Sequence, residues 1–141
     1  MKKVLIMMTI AATFMGCCAK KPHYESLDEY PVKQGSLNEM VYSPEQTAFS
    51  VWSPNADTVY LNIYADATTV EPLQRLTMCR QKDGSWTKTV KGDLNGQFYT
   101  FQLVEADSRW TLHETPGIFA KAVGVNGRRA AIIDLATTNP E

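Results

Sequence analysis

The alternating residues at positions 98–103 constrain the fold more than any other part of this sequence. Apolar side chains at every second position share one side of an extended chain, namely Tyr99, Phe101 and Leu103. This strand opens residues 96–135, for which we predict a hairpin of two aromatic strands, a crossover, a tight turn at Asn126-Gly127 and a final strand. The preceding part of the chain is expected to supply the partner strands.

Similar alternation occurs earlier in the chain. Its clearest case is residues 58–65, where Val59, Leu61 and Ile63 form a core face, and residues 75–81 and 85–91 follow the same pattern. Short strand-like runs separated by turn dipeptides such as Asp-Gly and Asn-Gly are typical of an all-β protein. We therefore predict an immunoglobulin-like β-sandwich of two sheets and about seven strands.

Composition restricts the functional classes. Hydrophobic residues make up 44% of the 141 positions and charged residues 21%, as in an ordinary globular domain. The formal net charge of -1 argues against a nucleic-acid partner, because phosphate binding needs a basic face. His23 and His113 lack a second ligand at metal-binding spacing, and the three cysteines contain no Cys-x-x-Cys. No metal site and no cofactor are predicted.

The amino terminus has the pattern of an export signal. Lys2 and Lys3 precede an apolar run of twelve residues, which is shorter than the roughly 20 residues that a membrane-spanning helix needs. The run ends in Gly16-Cys17, which resembles a bacterial lipobox. We predict a lipoprotein signal peptide at residues 1–16, lipidation of Cys17 and a tether at residues 17–40 with one helical turn. The mature protein would be an exported, membrane-anchored lipoprotein; the alternative is an ordinary signal peptide cleaved near Ala19.

Two further cysteines remain after Cys17. A disulfide between Cys18 and Cys79 would join the predicted tether to a strand of the domain, which is geometrically unfavourable for a flexible segment. Cys79 is instead expected to be a small buried apolar residue on its strand.

Several motifs resemble one family. Residues 49–56 (Phe-Ser-Val-Trp-Ser-Pro-Asn-Ala), 92–99 (Gly-Asp-Leu-Asn-Gly-Gln-Phe-Tyr) and 120–127 (Ala-Lys-Ala-Val-Gly-Val-Asn-Gly) resemble the leading β-sandwich of type I pullulanases in glycoside hydrolase family 13. That sandwich is a carbohydrate-binding module of family 48. The resemblance implies such a domain at residues 41–135 and the start of a linker to a catalytic barrel at residues 136–141.

The resemblance also implies where sugar would bind. In members of the family that bind starch or glycogen, a tryptophan after the corresponding turn stacks on α-glucan, which makes Trp110 the first candidate and Arg109 a flanking donor. Trp110 could instead pack in the core or against a catalytic barrel. Tyr60 and Tyr64, on the outward side of their strand, form a second possible glycan surface, and Trp52 is either a rim residue or an anchor for a barrel.

No catalytic residue is predicted in this chain. Its aspartates lie mostly at strand ends and turns, where side-chain hydrogen bonds stabilise the backbone, and the barrel motifs of the family do not occur. The expected function is an α-glucan-binding or structural domain of a pullulanase-type debranching system, with a glycoside hydrolase barrel as partner in cis or in trans. The alternatives are a truncated pullulanase whose catalysis resides elsewhere, and a surface module that binds another protein.

Overall fold

The residues that the structure describes form two antiparallel sheets of four strands each, which confirms the predicted two-sheet β-sandwich with eight strands where about seven are predicted. The computed structural model describes residues 18–105 and 113–137. One sheet has the strand order β1-β2-β6-β5 and the other β4-β3-β7-β8. The strands are β1 (Met40–Tyr42), β2 (Gln46–Trp52), β3 (Thr58–Tyr64), β4 (Gln74–Thr77), β5 (Cys79–Arg80), β6 (Ser85–Lys91), β7 (Phe98–Val104) and β8 (Ala130–Ala131).

Among the described residues, three single turns of 3-10 helix accompany the strands, at Leu27–Glu29, Val125–Gly127 and Leu135–Thr137. The first confirms the helical turn predicted before the domain. In the part of the chain that the structure describes, no helix has the length and apolar character needed to cross a bilayer.

The predicted alternation fills the space between the sheets. Val59, Leu61 and Ile63 of β3 are fully buried, and Phe101 of β7 is buried beside them. Across the sandwich the ring of Phe49 on β2 meets the ring of Tyr99 on β7 edge-on, with centroids 5.1 Å apart. Trp86 is also a core residue, as its position in the alternating pattern indicates.

The strand predicted at residues 75–81 is in fact two strands in different sheets. β4 pairs with β3, whereas β5 pairs with β6. The chain changes sheets at Met78, which is buried and donates its backbone N–H to the carbonyl of Val59. Apolar alternation does not reveal such a change, because the side chains on both sides of the switch keep facing the same core.

The predicted final strand is short. It is limited to β8, and a single antiparallel bridge joins Val123 of the crossover to Ala130. The second arm of the predicted hairpin, at residues 108–114, lies mostly outside the described residues. Directly after it, Thr115 forms an antiparallel bridge with Phe101 of β7.

The expectation about the cysteines is wrong. Cys18 and Cys79 form a disulfide, with their Cα atoms 5.1 Å apart. The bond is possible because the segment before β1 lies along the sandwich: Ala19 donates its N–H to the carbonyl of Arg80 at 2.9 Å, and Lys33 Nζ pairs with Asp83 Oδ2 at 2.6 Å. Cys18 is thereby held beside β5.

Candidate functional site

An open cleft of about 880 Å³ lies on the outer face of the β4-β3-β7-β8 sheet. Gln102 of β7 lines it, on the side of that strand opposite the core residues. Residues 113–116 form one wall and residues 127–129 form the other. Three chain segments that are distant in sequence therefore build this cleft.

A buried carboxylate anchors the chain beside the first wall. Glu39 is only 2% exposed, and its two carboxylate oxygens accept the backbone N–H groups of Ile118 (3.1 Å) and Phe119 (2.9 Å). Burial raises the pKa of Glu39, while the two backbone donors oppose that shift. Gly117 is required beside it, because its φ is +92° and a Cβ atom there would overlap the Glu39 carboxylate.

Glu114 fixes the same wall to the sheet. One of its carboxylate oxygens accepts hydrogen bonds from the Tyr64 hydroxyl at 2.6 Å and from the Thr100 hydroxyl at 2.8 Å. Burial and the nearby carboxylate raise the pKa of Tyr64 to about 12, so this hydroxyl remains a donor at neutral pH. Glu114 therefore ties the first wall to both β3 and β7.

Arg129 holds the second wall. Its guanidinium lies 3.5 Å from the centroid of the Tyr64 ring and donates hydrogen bonds to the backbone carbonyls of Asp66 and Thr69. All of its described contacts are structural. The adjacent Arg128 lines the cleft and is exposed.

The loop that receives Arg129 is ordered by Asp66. The Asp66 carboxylate accepts hydrogen bonds from the backbone N–H and hydroxyl groups of both Thr68 and Thr69, and these four donors lower its pKa. A smaller cavity of about 220 Å³ lies between this loop and the turn at Val125 and Asn126. Arg128 and Arg129 line both this cavity and the large cleft.

Close packing sets the path of the Arg128 loop. Gly124 packs so tightly that a Cβ atom there would lie 2.8 Å from the Cβ of Ala67. Asn126 has a φ of 63°, in the left-handed region that asparagine tolerates, and Gly127 follows with the same φ. The predicted Asn-Gly turn is thus confirmed, and it places Arg128 at the cleft.

The cleft retains unused hydrogen-bonding capacity. The side-chain oxygen of Gln102 is buried and has no partner among the described residues. Arg128 offers guanidinium donors, and His113 adds an imidazole at the end of the first wall. Such a mixture of donors and acceptors around a shallow opening suits a ligand rich in hydroxyl groups.

The sequence-predicted site residues that the structure describes are not all together, although Tyr60 is paired across strands with Gln102, which lines the cleft. Arg109 and Trp110 lie outside the described residues, although His113, three positions after Trp110, lines the cleft. Trp52 is on the other sheet, where it is 38% exposed and donates its indole N–H to the carbonyl of Asp83. The structure therefore does not place Trp52 at the cleft.

The predicted tyrosine surface is wrong for Tyr64. Its side chain is 2% exposed because Glu114 and Arg129 cover it, and Asn62 between the two tyrosines is fully buried. Tyr60 is half-buried, with the guanidinium of Arg75 at 4.2 Å from its ring centroid. Alternation identified the outer face of the strand correctly but did not show what covers that face.

The sequence alone does not predict the roles of Gln102, Glu114 and Arg129. Arg129 follows the Asn126-Gly127 turn, and nothing in that local pattern indicates that it packs on Tyr64. The carboxylate of Glu114 acts on a residue 50 positions earlier in the chain. No local pattern encodes a contact of that separation.

Comparisons with known proteins agree on one kind of relative. The family profile described as Carbohydrate-binding module 48 (Isoamylase N-terminal domain) matches residues 37–116. The pullulanase of Bacillus subtilis (strain 168) is 33% identical over 93 residues, which are 66% of this chain and 12% of that protein.

Solved structures give the same result. A pullulanase variant from Paenibacillus barengoltzii complexed with maltotetraose is 39% identical, with a TM-score of 0.74 over 81% of this chain and 17% of that one. The pullulanase of Anoxybacillus sp. LM18-11 is 32% identical, with a TM-score of 0.69 over 81% of this chain and 16% of that one. The chain thus spans less than a fifth of these relatives.

A double-mutant cycle tests the anchoring of the first wall. Tyr64→Phe and Glu114→Gln should each lower the free energy of unfolding, and the two changes together should cost about 1 kcal/mol less than their sum, because both remove one charged hydrogen bond. Urea unfolding of the four proteins measures the coupling. Lys88→Gln combined with Tyr64→Phe is the control and should be additive; additive losses for Tyr64 and Glu114 would contradict the contact.

Proposed function

This chain belongs to the carbohydrate-binding module 48 family, and from that membership and the geometry of the cleft we propose that it binds α-glucan. The observation that carries the proposal is the position of the cleft, because His113 in its first wall is only three residues after Trp110 in the sequence. The ligand would be a chain of α-linked glucose units of the pullulan, starch or glycogen type.

The binding mode follows from the chemistry of glucose. The indole of Trp110 would stack on the apolar C–H face of one glucose ring. The exposed Arg128 guanidinium would donate hydrogen bonds to its hydroxyl groups. Since one shallow site contributes little buried area, we expect a dissociation constant in the high micromolar to millimolar range, or roughly −4 to −6 kcal/mol.

Related structures support this ligand class. Pullulanases from Paenibacillus barengoltzii and Anoxybacillus sp. LM18-11 are described in complexes with maltotetraose, and one of the former also with maltohexaose and alpha-cyclodextrin. Those names concern the whole enzymes, of which this chain covers a small part. The proposal for this chain therefore depends on its own cleft.

Affinity electrophoresis of the full chain through gels with and without pullulan tests the proposal. Pullulan should retard the wild type, Trp110→Ala should abolish the retardation, and Arg128→Ala should weaken binding about tenfold because a hydrogen bond to a charged group is lost. Trp52→Ala is the matched control, since it removes the same side chain from the opposite sheet. Circular dichroism verifies that each variant is folded.

Two outcomes would contradict the proposal: a folded wild type that migrates unretarded, or equal losses for Trp52→Ala and Trp110→Ala. The first would favour the second candidate function, a structural domain that docks on a pullulanase catalytic domain in cis or in trans. This alternative is favoured because the pullulanases that resemble this chain extend far beyond the region that the chain matches. In both cases debranching chemistry would belong to that catalytic domain, and we assign no catalytic residue to this chain.

We further propose that the protein is exported and anchored by lipid at Cys17. The Lys-Lys start, the apolar run and Gly16-Cys17 support it, and so does the Cys18–Cys79 disulfide, because such bonds persist in oxidising compartments. Two acyl chains would give stable anchoring where one would not.

Metabolic labelling with an alkyne-bearing fatty acid tests the anchor. The expressed full chain should incorporate label, and Cys17→Ser should lose it, because the proposed lipid is attached at Cys17 alone. Cys18→Ser is the matched control and should keep the label. Label that persists in Cys17→Ser, or disappears in Cys18→Ser alone, would contradict lipidation at Cys17.

A further inference from the structure

A second groove, of about 840 Å³, lies on the outer face of the β1-β2-β6-β5 sheet. Its floor is polar and includes Ser50 of β2 and Thr87 of β6. Its rim carries three lysines, Lys20, Lys33 and Lys82. The glucan cleft lies on the outer face of the other sheet, so the two openings are on opposite sides of the sandwich.

The groove is electropositive. Lys33 is paired with Asp83, the one acidic residue in the lining, whereas Lys20 and Lys82 are exposed and form no ion pair with another described residue. Arg80 also contributes positive charge, although its guanidinium is buried and donates to the carbonyls of Pro54 and Ala56. The rim thus presents two uncompensated cations around the polar floor.

The floor offers a hydroxyl proton to an anion. Gln81 Nε2 donates to Thr87 Oγ1 at 3.0 Å, so the Thr87 hydroxyl acts as acceptor in that contact and its own proton is available for another partner. A phosphate group has the acceptor oxygens and the negative charge that this combination of hydroxyls and lysines recognises.

The disulfide places this groove next to the proposed anchor. Cys18 forms part of the groove wall and is bonded to Cys79 of β5. Cys17 is the adjacent residue, and one residue of chain reaches no further than about 3.6 Å. A lipid on Cys17 would therefore hold this face of the sandwich, and no other, at the level of the lipid headgroups.

We propose that the groove binds the phosphate headgroups of anionic phospholipids in the bilayer that holds the lipid anchor. The inference depends on the proposed anchoring of Cys17. Its consequence is a fixed orientation: the β1-β2-β6-β5 sheet faces the membrane, and the glucan cleft faces away from it, open to polysaccharide.

Lysine footprinting of the full, lipidated chain tests the orientation. The protein is reconstituted into vesicles of phosphatidylcholine, with or without an equal share of phosphatidylglycerol, and its amines are acylated by a membrane-impermeant reagent and quantified by mass spectrometry. Phosphatidylglycerol should slow labelling of Lys20 and Lys82 about threefold or more, and high salt should reverse the protection. Lys121 is outside the groove lining and serves as the internal reference.

A pair of matched variants distinguishes binding in the groove from a general effect of the protein's net charge. Lys20→Gln with Lys82→Gln should abolish the phosphatidylglycerol-dependent protection of Lys33. Arg75→Gln with Lys121→Gln makes the same change in net charge outside the groove lining, with Arg75 on the other sheet, and should leave the protection intact. Equal labelling in both vesicles, equal protection at Lys121, or the same protection by soluble glycerol phosphate on neutral vesicles would each overturn the proposal.

Flotation of the protein with vesicles distinguishes failure of the groove proposal from failure of the anchor proposal. A protein that floats with neutral vesicles but shows no lysine protection retains its anchor and refutes the groove alone. A protein that does not float with neutral vesicles refutes the anchor, and with it the orientation inferred here.

Discussion

The buried Glu39 carboxylate holds together the parts of the molecule on which its proposed function depends. It stands at the entry to β1, and its oxygens accept the N–H groups of Ile118 and Phe119, nearly 80 positions later in the chain. A buried charge is expensive unless it is fully hydrogen-bonded, so this contact favours one path for the crossing segment. The residues just before this fixed point form one wall of the cleft. In that wall Glu114 accepts hydrogen bonds from Tyr64 of β3 and Thr100 of β7.

The sandwich itself was largely predictable from the sequence. Alternation in β3 and β7 identified the core side chains, because a strand with one buried face imposes a period of two. It could not show that the chain changes sheets at Met78, since the side chains still face one core after the switch. The disulfide was also missed, because the course of residues 18–40 along the sandwich depends on separate contacts such as Lys33 with Asp83.

The candidate site was less predictable, for a physical reason. Tyr64 was expected to be exposed because of its place in the strand pattern, yet its surroundings come from Glu114 and Arg129, two distant segments that cover it. An aromatic side chain on the outer face of a strand can stack on a sugar or pack against an arginine. The strand pattern in the sequence is the same in both cases. Only the three-dimensional path of the covering segments distinguishes these roles, and Trp110, which the family resemblance singled out, stays a prediction.

Nuclear magnetic resonance would show whether glucan binds in the cleft between residues 113–116 and 127–129. Titration of ¹⁵N-labelled protein with maltotetraose should shift the backbone amides of both walls and the side-chain amide of Gln102, while amides around Trp52, on the opposite sheet, stay constant. Shifts concentrated at Trp52, or a spectrum unchanged at millimolar sugar, would contradict binding in this cleft.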